Sequence, residues 1–303
     1  MKVLISTSSF GKADSTPLEI CQKRCDIVLN PYGRKLTTEE FIELTSEVDA
    51  VIAGVEKITR EALIRRPNIR VISRCGVGMD NIDQNACKEL NINLYNTPNA
   101  PVDSVAELTV SIMLDVVKNV SNMNSDLKNG SWNKMTGFLL KGKHIGIIGF
   151  GRIGHRVAEL LSGFGVKIAY TDIRDMGNQY TYMKKEDLLS WADIVTIHAS
   201  ECKDGEFIID KKNIQLMKET SFLINTSRGR FIDEDILFEA LETRRIQGAA
   251  LDVFTEEPYK GKLCKLDNVI LTPHISSSAK EGRATMEMEA VKNLFKGLGI
   301  NYD

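Results

Sequence analysis

No stretch of the 303 residues stays apolar for the roughly 18 positions that a membrane-spanning helix needs. Met1-Lys2 leads straight into Val3-Leu4-Ile5, too short for the apolar core of a secretory leader and better read as a first strand. The six cysteines, Cys21, Cys25, Cys75, Cys87, Cys202 and Cys264, form no CxxC pair and no zinc-type spacing with the four histidines. They read as small buried apolar residues in a reduced, cytoplasmic chain, with no metal centre. The formal charge of −2 gives no pull toward nucleic acid or an anionic membrane. The short basic pairs Arg34-Lys35 and Arg65-Arg66 read as solvated surface. Short repeats and low-complexity tracts are missing as well.

What remains is a soluble composition, 43% hydrophobic and 26% charged, in a chain long enough for two domains with separate cores. Strand and helix signals alternate through the first hundred residues. Strands are predicted at Val3 to Ser6, Asp26 to Leu29, Ala50 to Ala53, Val71 to Ser73 and Ile92 to Tyr95. Helices are predicted at Pro17 to Arg24, through Leu44 from a capping box at Thr37 to Glu40, at Thr59 to Arg65 and at Ile82 to Leu90. Such repeats imply a parallel sheet with helices on its faces. One long helix is predicted from Val102 to Leu127, followed by a loop carrying Trp132 and Lys134. A second strand–helix series starts at Lys143, with strands at His144 to Gly149, Lys167 to Thr171, Ile194 to Ile197, Phe222 to Asn225, Ile246 to Leu251 and Val269 to Leu271. Ser278 to Leu298 is again helical. The fold class is therefore α/β, with two doubly wound parallel-sheet domains.

The strongest local motif is Gly149-Phe150-Gly151-Arg152-Ile153-Gly154. A buried-type strand enters it, an amphipathic helix leaves it, and the next strand ends at Asp172, about 20 residues on. Gly149 permits the turn, Gly151 lets backbone approach a pyrophosphate, and Gly154 lets helix and strand pack. The helix N-terminus, at Arg152 and Ile153, offers free amides to phosphate. Asp172 suits the two hydroxyls of an adenine ribose and would repel a 2′-phosphate, which favours NAD over NADP, although Arg174 stands nearby. A fold binding S-adenosylmethionine shares much of this pattern.

Three further segments place polar residues where strands should end: Asn225 to Gly229, Leu251 to Pro258, and Thr272-Pro273-His274. Ligands of open α/β sheets bind beyond the carboxyl ends of the strands. Reduction of a 2-keto acid needs a cation for the carboxylate and carbonyl, a proton donor that titrates near neutrality, and a carboxylate to orient that donor. Arg228, His274 and Glu257 supply these types. His144, His155 and His198 have no such company and read as structural or surface residues.

At this point the chain resembles the D-isomer-specific 2-hydroxy acid dehydrogenases, most closely their phosphoglycerate dehydrogenase branch. The resemblance rests on Arg74-Cys75-Gly76-Val77-Gly78-Met79-Asp80-Asn81, Asn96-Thr97-Pro98, Ser104-Val105-Ala106-Glu107, the glycine fingerprint, the Arg228 segment, Asp252 to Pro258, and Pro273-His274. It implies that Arg228 binds the substrate carboxylate and keto oxygen, that His274 is the general acid/base, and that Glu257 pairs its imidazole. It implies that Asp252 meets the nicotinamide carboxamide, and that Arg74 and the amides around Val77 and Gly78 help hold the substrate. It also implies a flavodoxin-like substrate domain of residues 1–98 plus 279–303, interrupted by a Rossmann NAD-binding domain of residues 99–278, and a homodimer formed around the helix from Val102. The implied short form ends without the regulatory domain that some phosphoglycerate dehydrogenases carry.

The chain departs from the family pattern in places. Pro101 stands where members often have Asn, residues 198–205 replace a His-x-Pro segment, and Gly54 stands where many phosphoglycerate dehydrogenases have a phosphate-binding Arg. The expected activity is NAD-dependent oxidoreduction of a small 2-hydroxy or 2-keto acid, with 3-phosphoglycerate among the substrates. The alternatives are an NAD-sensing protein without enzymatic activity and an enzyme of this fold acting on formate or phosphite.

Overall fold

The computed structural model describes residues 1–177, 179–200 and 206–302. Cys202 and most of the departing segment 198–205 therefore lie outside the described residues. The chain divides into two compact units, Met1–Val102 with Ser277–Asp303, and Asp103–Ser276.

The first unit begins with β1 (Lys2–Ile5), α1 (Thr16–Arg24), β2 (Asp26–Leu29), α2 (Thr38–Leu44) and β3 (Ala50–Ala53). It continues with α3 (Arg60–Ile64), β4 (Val71–Arg74), α4 (Gln84–Glu89) and β5 (Asn93–Tyr95). All the strands pair in parallel, in the order β2-β1-β3-β4-β5, which is the flavodoxin-like order. β3 is buried at every position, as a strand covered by helices on both faces must be. The capping box read from Thr37 and Glu40 is present, with each side chain accepting from the other's backbone amide. The final helix, Lys280–Leu298, returns to this unit and buries Met286, Ala290, Val291, Leu294 and Phe295 against the core residues of β1, β3 and β4.

The second unit opens with α5 (Val102–Lys118) and α6 (Val120–Lys128). The single helix predicted through Leu127 is thus broken. Asn119 takes a left-handed backbone, φ 56°, which asparagine tolerates better than most residues, and Asp115 receives the amide of Ser121 at 2.8 Å beyond the break. There follow β6 (His144–Ile148), α7 (Arg152–Ser162), β7 (Lys167–Thr171), β8 (Thr181–Tyr182), α8 (Lys185–Trp191) and β9 (Ile194–Ile197). The unit closes with α9 (Lys211–Leu216), β10 (Phe222–Asn225), α10 (Glu234–Glu242), β11 (Gly248–Leu251) and β12 (Val269–Leu271). The strand order β12-β11-β10-β9-β6-β7-β8 is the dinucleotide-binding order with one strand more, and its topological switch lies between β6 and β9. β11 starts two residues later than the apolar run suggests: Ile246 is buried in the turn before it.

Candidate active site

The glycine turn sits at the carboxyl end of β6, beside the switch. Gly149 has φ 89°, and a Cβ there would lie 2.4 Å from the nitrogen of Ala199 and 2.5 Å from the carbonyl carbon of His198, so no side chain fits between the ends of β6 and β9. Gly154 is equally tight against the carbonyl of Gly149. Gly151 differs, because a Cβ there would meet nothing within 4 Å. It is also the N-cap of α7 and makes no side-chain cap, so the first amides of the helix are left for another acceptor.

Asp172 follows β7. Its Oδ2 accepts the amide of Phe150 at 2.6 Å and its Oδ1 that of Ile173 at 2.7 Å. A carboxylate has about four acceptor positions. The two inward bonds therefore fix its direction and leave a lone pair on each oxygen for a pair of vicinal hydroxyls. Open space at Gly151, uncapped amides on α7 and a half-buried, aimed carboxylate are what a dinucleotide requires of this loop.

His198, just past β9, is buried. Its Nε2 lies 2.9 Å from the Thr196 hydroxyl, and burial pushes its pKa down to about 3. Burial without a charged partner keeps this imidazole neutral.

Arg228 lies just beyond β10 and is half-buried, with Nη1 donating to the carbonyl of Ser227 at 2.7 Å. Its loop is held by Asn225, a fully buried side chain that donates to the Arg228 carbonyl at 2.9 Å and accepts from the Ser227 amide at 3.0 Å. Thr226 touches the Thr109 hydroxyl of α5 at 2.9 Å. In the sequence Asn225 and Thr226 stand out only as members of the polar segment that ends β10, with no role of their own. Their only signal was polarity at the buried end of a strand, where an unpaired amide would be costly.

The next residue joins this loop to the acid. A Cβ on Gly229 would stand 1.9 Å from the carbonyl carbon of Phe254, so the loops after β10 and β11 are in backbone contact there. Glu257 accepts the Phe254 amide at 3.1 Å through Oε1. Through Oε2 it stands 2.8 Å from Nδ1 of His274, itself just beyond β12. His274 holds φ 54°, an unusual conformation for a side chain-bearing residue and one that recurs at functional sites.

Asp252, at the end of β11, is anchored from within its own unit. Its carboxylate is fully buried and accepts from the Thr272 hydroxyl at 2.6 Å, the Ile275 amide at 2.8 Å and the Ser276 amide at 2.8 Å. It pins both sides of His274.

In the first unit, Arg74 ends β4 and folds its guanidinium over Gly76, contacting the Cys75 carbonyl. Asn96 donates to the Val77 carbonyl at 2.7 Å, and the buried Thr97 hydroxyl receives the Gly76 amide at 2.8 Å. The segment containing Arg74, Val77 and Gly78 is thus braced by the end of β5. Glu56 lies buried behind the loop after β3, accepting from Ser6 and from the Gly54 amide at 3.0 Å.

Residues 110–276 match the model for the D-isomer specific 2-hydroxyacid dehydrogenase NAD-binding domain. The chain is 36% identical to a hydroxypyruvate reductase of Thermotoga maritima, over 90% of this chain and 92% of that protein. It is 38% identical to a D-3-phosphoglycerate dehydrogenase of Methanocaldococcus jannaschii, over 86% of this chain but only 52% of that protein. Among solved structures, a D-lactate dehydrogenase of Aquifex aeolicus in complex with NAD and lactic acid superposes with a TM-score of 0.85 at 26% identity, covering 96% of this chain and 93% of that one.

Proposed function

The chain belongs to the D-isomer specific 2-hydroxyacid dehydrogenases, oxidoreductases with an NAD-binding domain, and from that premise we propose that it reduces short, unphosphorylated 2-keto acids of the glyoxylate and hydroxypyruvate type with NADH. The observation that carries the reading is the Glu257–His274 contact of 2.8 Å, tied through Phe254 and Gly229 to the loop of Arg228.

The chemistry follows from that contact. With Nδ1 turned to Glu257, His274 keeps Nε2 for a substrate oxygen. Arg228 holds the carboxylate and polarises the keto oxygen. A reduced nicotinamide, when bound, supplies the hydride. His274 gives its proton to the oxygen as the carbonyl becomes an alcohol, and Glu257 stabilises the imidazolium beforehand. In the reverse direction the same nitrogen takes the hydroxyl proton. Asp172 favours NAD over NADP because its carboxylate stands where a 2′-phosphate would bring like charge.

Two observations support an unphosphorylated substrate rather than 3-phosphoglycerate. The loop after β3 has Gly54 where many phosphoglycerate dehydrogenases have a phosphate-binding Arg, and the carboxylate of Glu56 is buried behind it. The match to the hydroxypyruvate reductase is nearly end to end, whereas the match to the phosphoglycerate dehydrogenase covers half of that protein. A homodimer fits the exposed apolar side chains of α6 and the following loop, Val120, Leu127, Trp132 and Leu139, of which Trp132 is 78% exposed.

The test is NADH oxidation at 340 nm with glyoxylate, hydroxypyruvate, pyruvate and phosphohydroxypyruvate, repeated with NADPH. Turnover with the first two and NADH is the expected result. Turnover confined to phosphohydroxypyruvate would overturn the substrate assignment. Tight NADH binding without any turnover would favour a nucleotide sensor.

A further inference from the structure

Tyr170 is fully buried on β7 and touches neither solvent nor the space above the glycine turn, yet its two ends reach both walls of the dinucleotide loop. Its ring stacks on Phe150, the residue between Gly149 and Gly151, with centroids 4.2 Å apart and planes 23° from parallel. Its hydroxyl donates to Asp175 Oδ1 at 2.6 Å and accepts the Met176 amide at 2.8 Å. Asp175 Oδ1 also receives the Gly177 amide at 2.9 Å. Phe150, in turn, gives its amide to Asp172 at 2.6 Å. The contacts close a circuit from Asp172 to Phe150 to Tyr170 to Asp175 and back along the chain.

We propose that Tyr170 is a positioning residue for the adenosine half of the cofactor: through its hydroxyl it anchors the irregular segment 172–177 and so sets the direction of the Asp172 carboxylate. The segment has no regular secondary structure of its own, and Ile173, Arg174, Asp175, Met176 and Gly177 are all exposed. An unanchored segment of that kind would have to lose backbone freedom each time a nucleotide binds. A buried tyrosine hydroxyl needs a partner, and here its partners are the segment itself. The Tyr170 hydroxyl first, and the Gly177 amide second, hold the Asp175 carboxyl below its usual range, as a bond made to the charged form requires.

The test measures NADH and AMP binding by fluorescence quenching and calorimetry, with turnover read separately. Tyr170→Phe keeps the stack and removes only the hydroxyl. The expected result is binding of both ligands weakened about fivefold, the size of one lost hydrogen bond. At saturating NADH, kcat stays within about twofold of the parent. Asp175→Ala weakens binding similarly, Asp175→Asn retains an acceptor oxygen and binds like the parent, and Tyr170→Phe/Asp175→Ala is no worse than either single change. Parent-like NADH and AMP binding by Tyr170→Phe overturns the proposal. So does equal weakening by Asp175→Asn and Asp175→Ala, which would make the charge, not the anchor, responsible. Because binding is read without substrate, failure of the keto acid assignment would leave these outcomes intact.

Discussion

Glu257 divides its two oxygens between a backbone and an imidazole: Oε1 takes the amide of Phe254 at 3.1 Å, and Oε2 faces Nδ1 of His274 at 2.8 Å. The first bond fixes the carboxylate and the second orients the ring. A carboxylate so held favours the tautomer with hydrogen on Nδ1 and stabilises the charged ring once it forms.

His274→Gln therefore lowers kcat by two to four orders of magnitude, about the worth of a general acid. Glu257→Gln, which can still accept the Phe254 amide, lowers kcat by about tenfold to a hundredfold and leaves the Kd for NADH unchanged. Steady-state rates beside NADH titrations check both.

Asp252→Ala strips the acceptor from three donors at a buried site. The expected loss is about 3 kcal/mol of stability or more, at roughly 1 kcal/mol per unmade bond, read as a lower urea midpoint with an unchanged slope. A carboxylate that served the nicotinamide instead would give the opposite pattern, with parent-like stability and weakened NADH binding.

Much of this was legible in the chain. Buried-type runs such as Ile145 to Ile148, short and bounded by the glycine turn, read as strands covered on both faces, and the glycine spacing with Asp172 pointed to a dinucleotide. Arg228, Glu257 and His274 stood out because charged residues followed apolar strand runs. What the sequence hid is tertiary. In the run from Val102 to Leu127, Asn119 is only a weak mark of a break, because asparagine favours turns mildly and other asparagines of the run stay helical, while the contact that secures the left-handed turn comes from Asp115 four residues earlier. The role of Asp252 depends on where the chain after β12 returns, and that of Tyr170 on a segment that turns back over its own strand.

His198 gives the protein an acid sensitivity of calculable sign. Its pKa falls from 6.5 to about 3 on folding because burial penalises the charged ring. The unfolded chain therefore binds the proton more readily. The contribution is fully present above pH 6.5 and is lost as the pH falls toward 3, by up to about 1.4 kcal/mol per pH unit. Urea midpoints at pH 7.5 and 4.5 check this: the parent should lose about 2–3 kcal/mol through this group, and His198→Gln should show a correspondingly smaller drop.

The most direct test of the account compares kcat/KM for hydroxypyruvate and NADH in the parent and in Arg228→Ala. Removal of the guanidinium takes away the cation that holds the carboxylate and polarises the keto oxygen, and the loss of such a group costs a hundredfold to a thousandfold or more. The predicted result is a fall of about a thousandfold, with NADH binding and thermal stability unchanged. A variant that retained the parent's kcat/KM would contradict the assignment of Arg228 and, with it, the placing of the reaction at the ends of β10, β11 and β12.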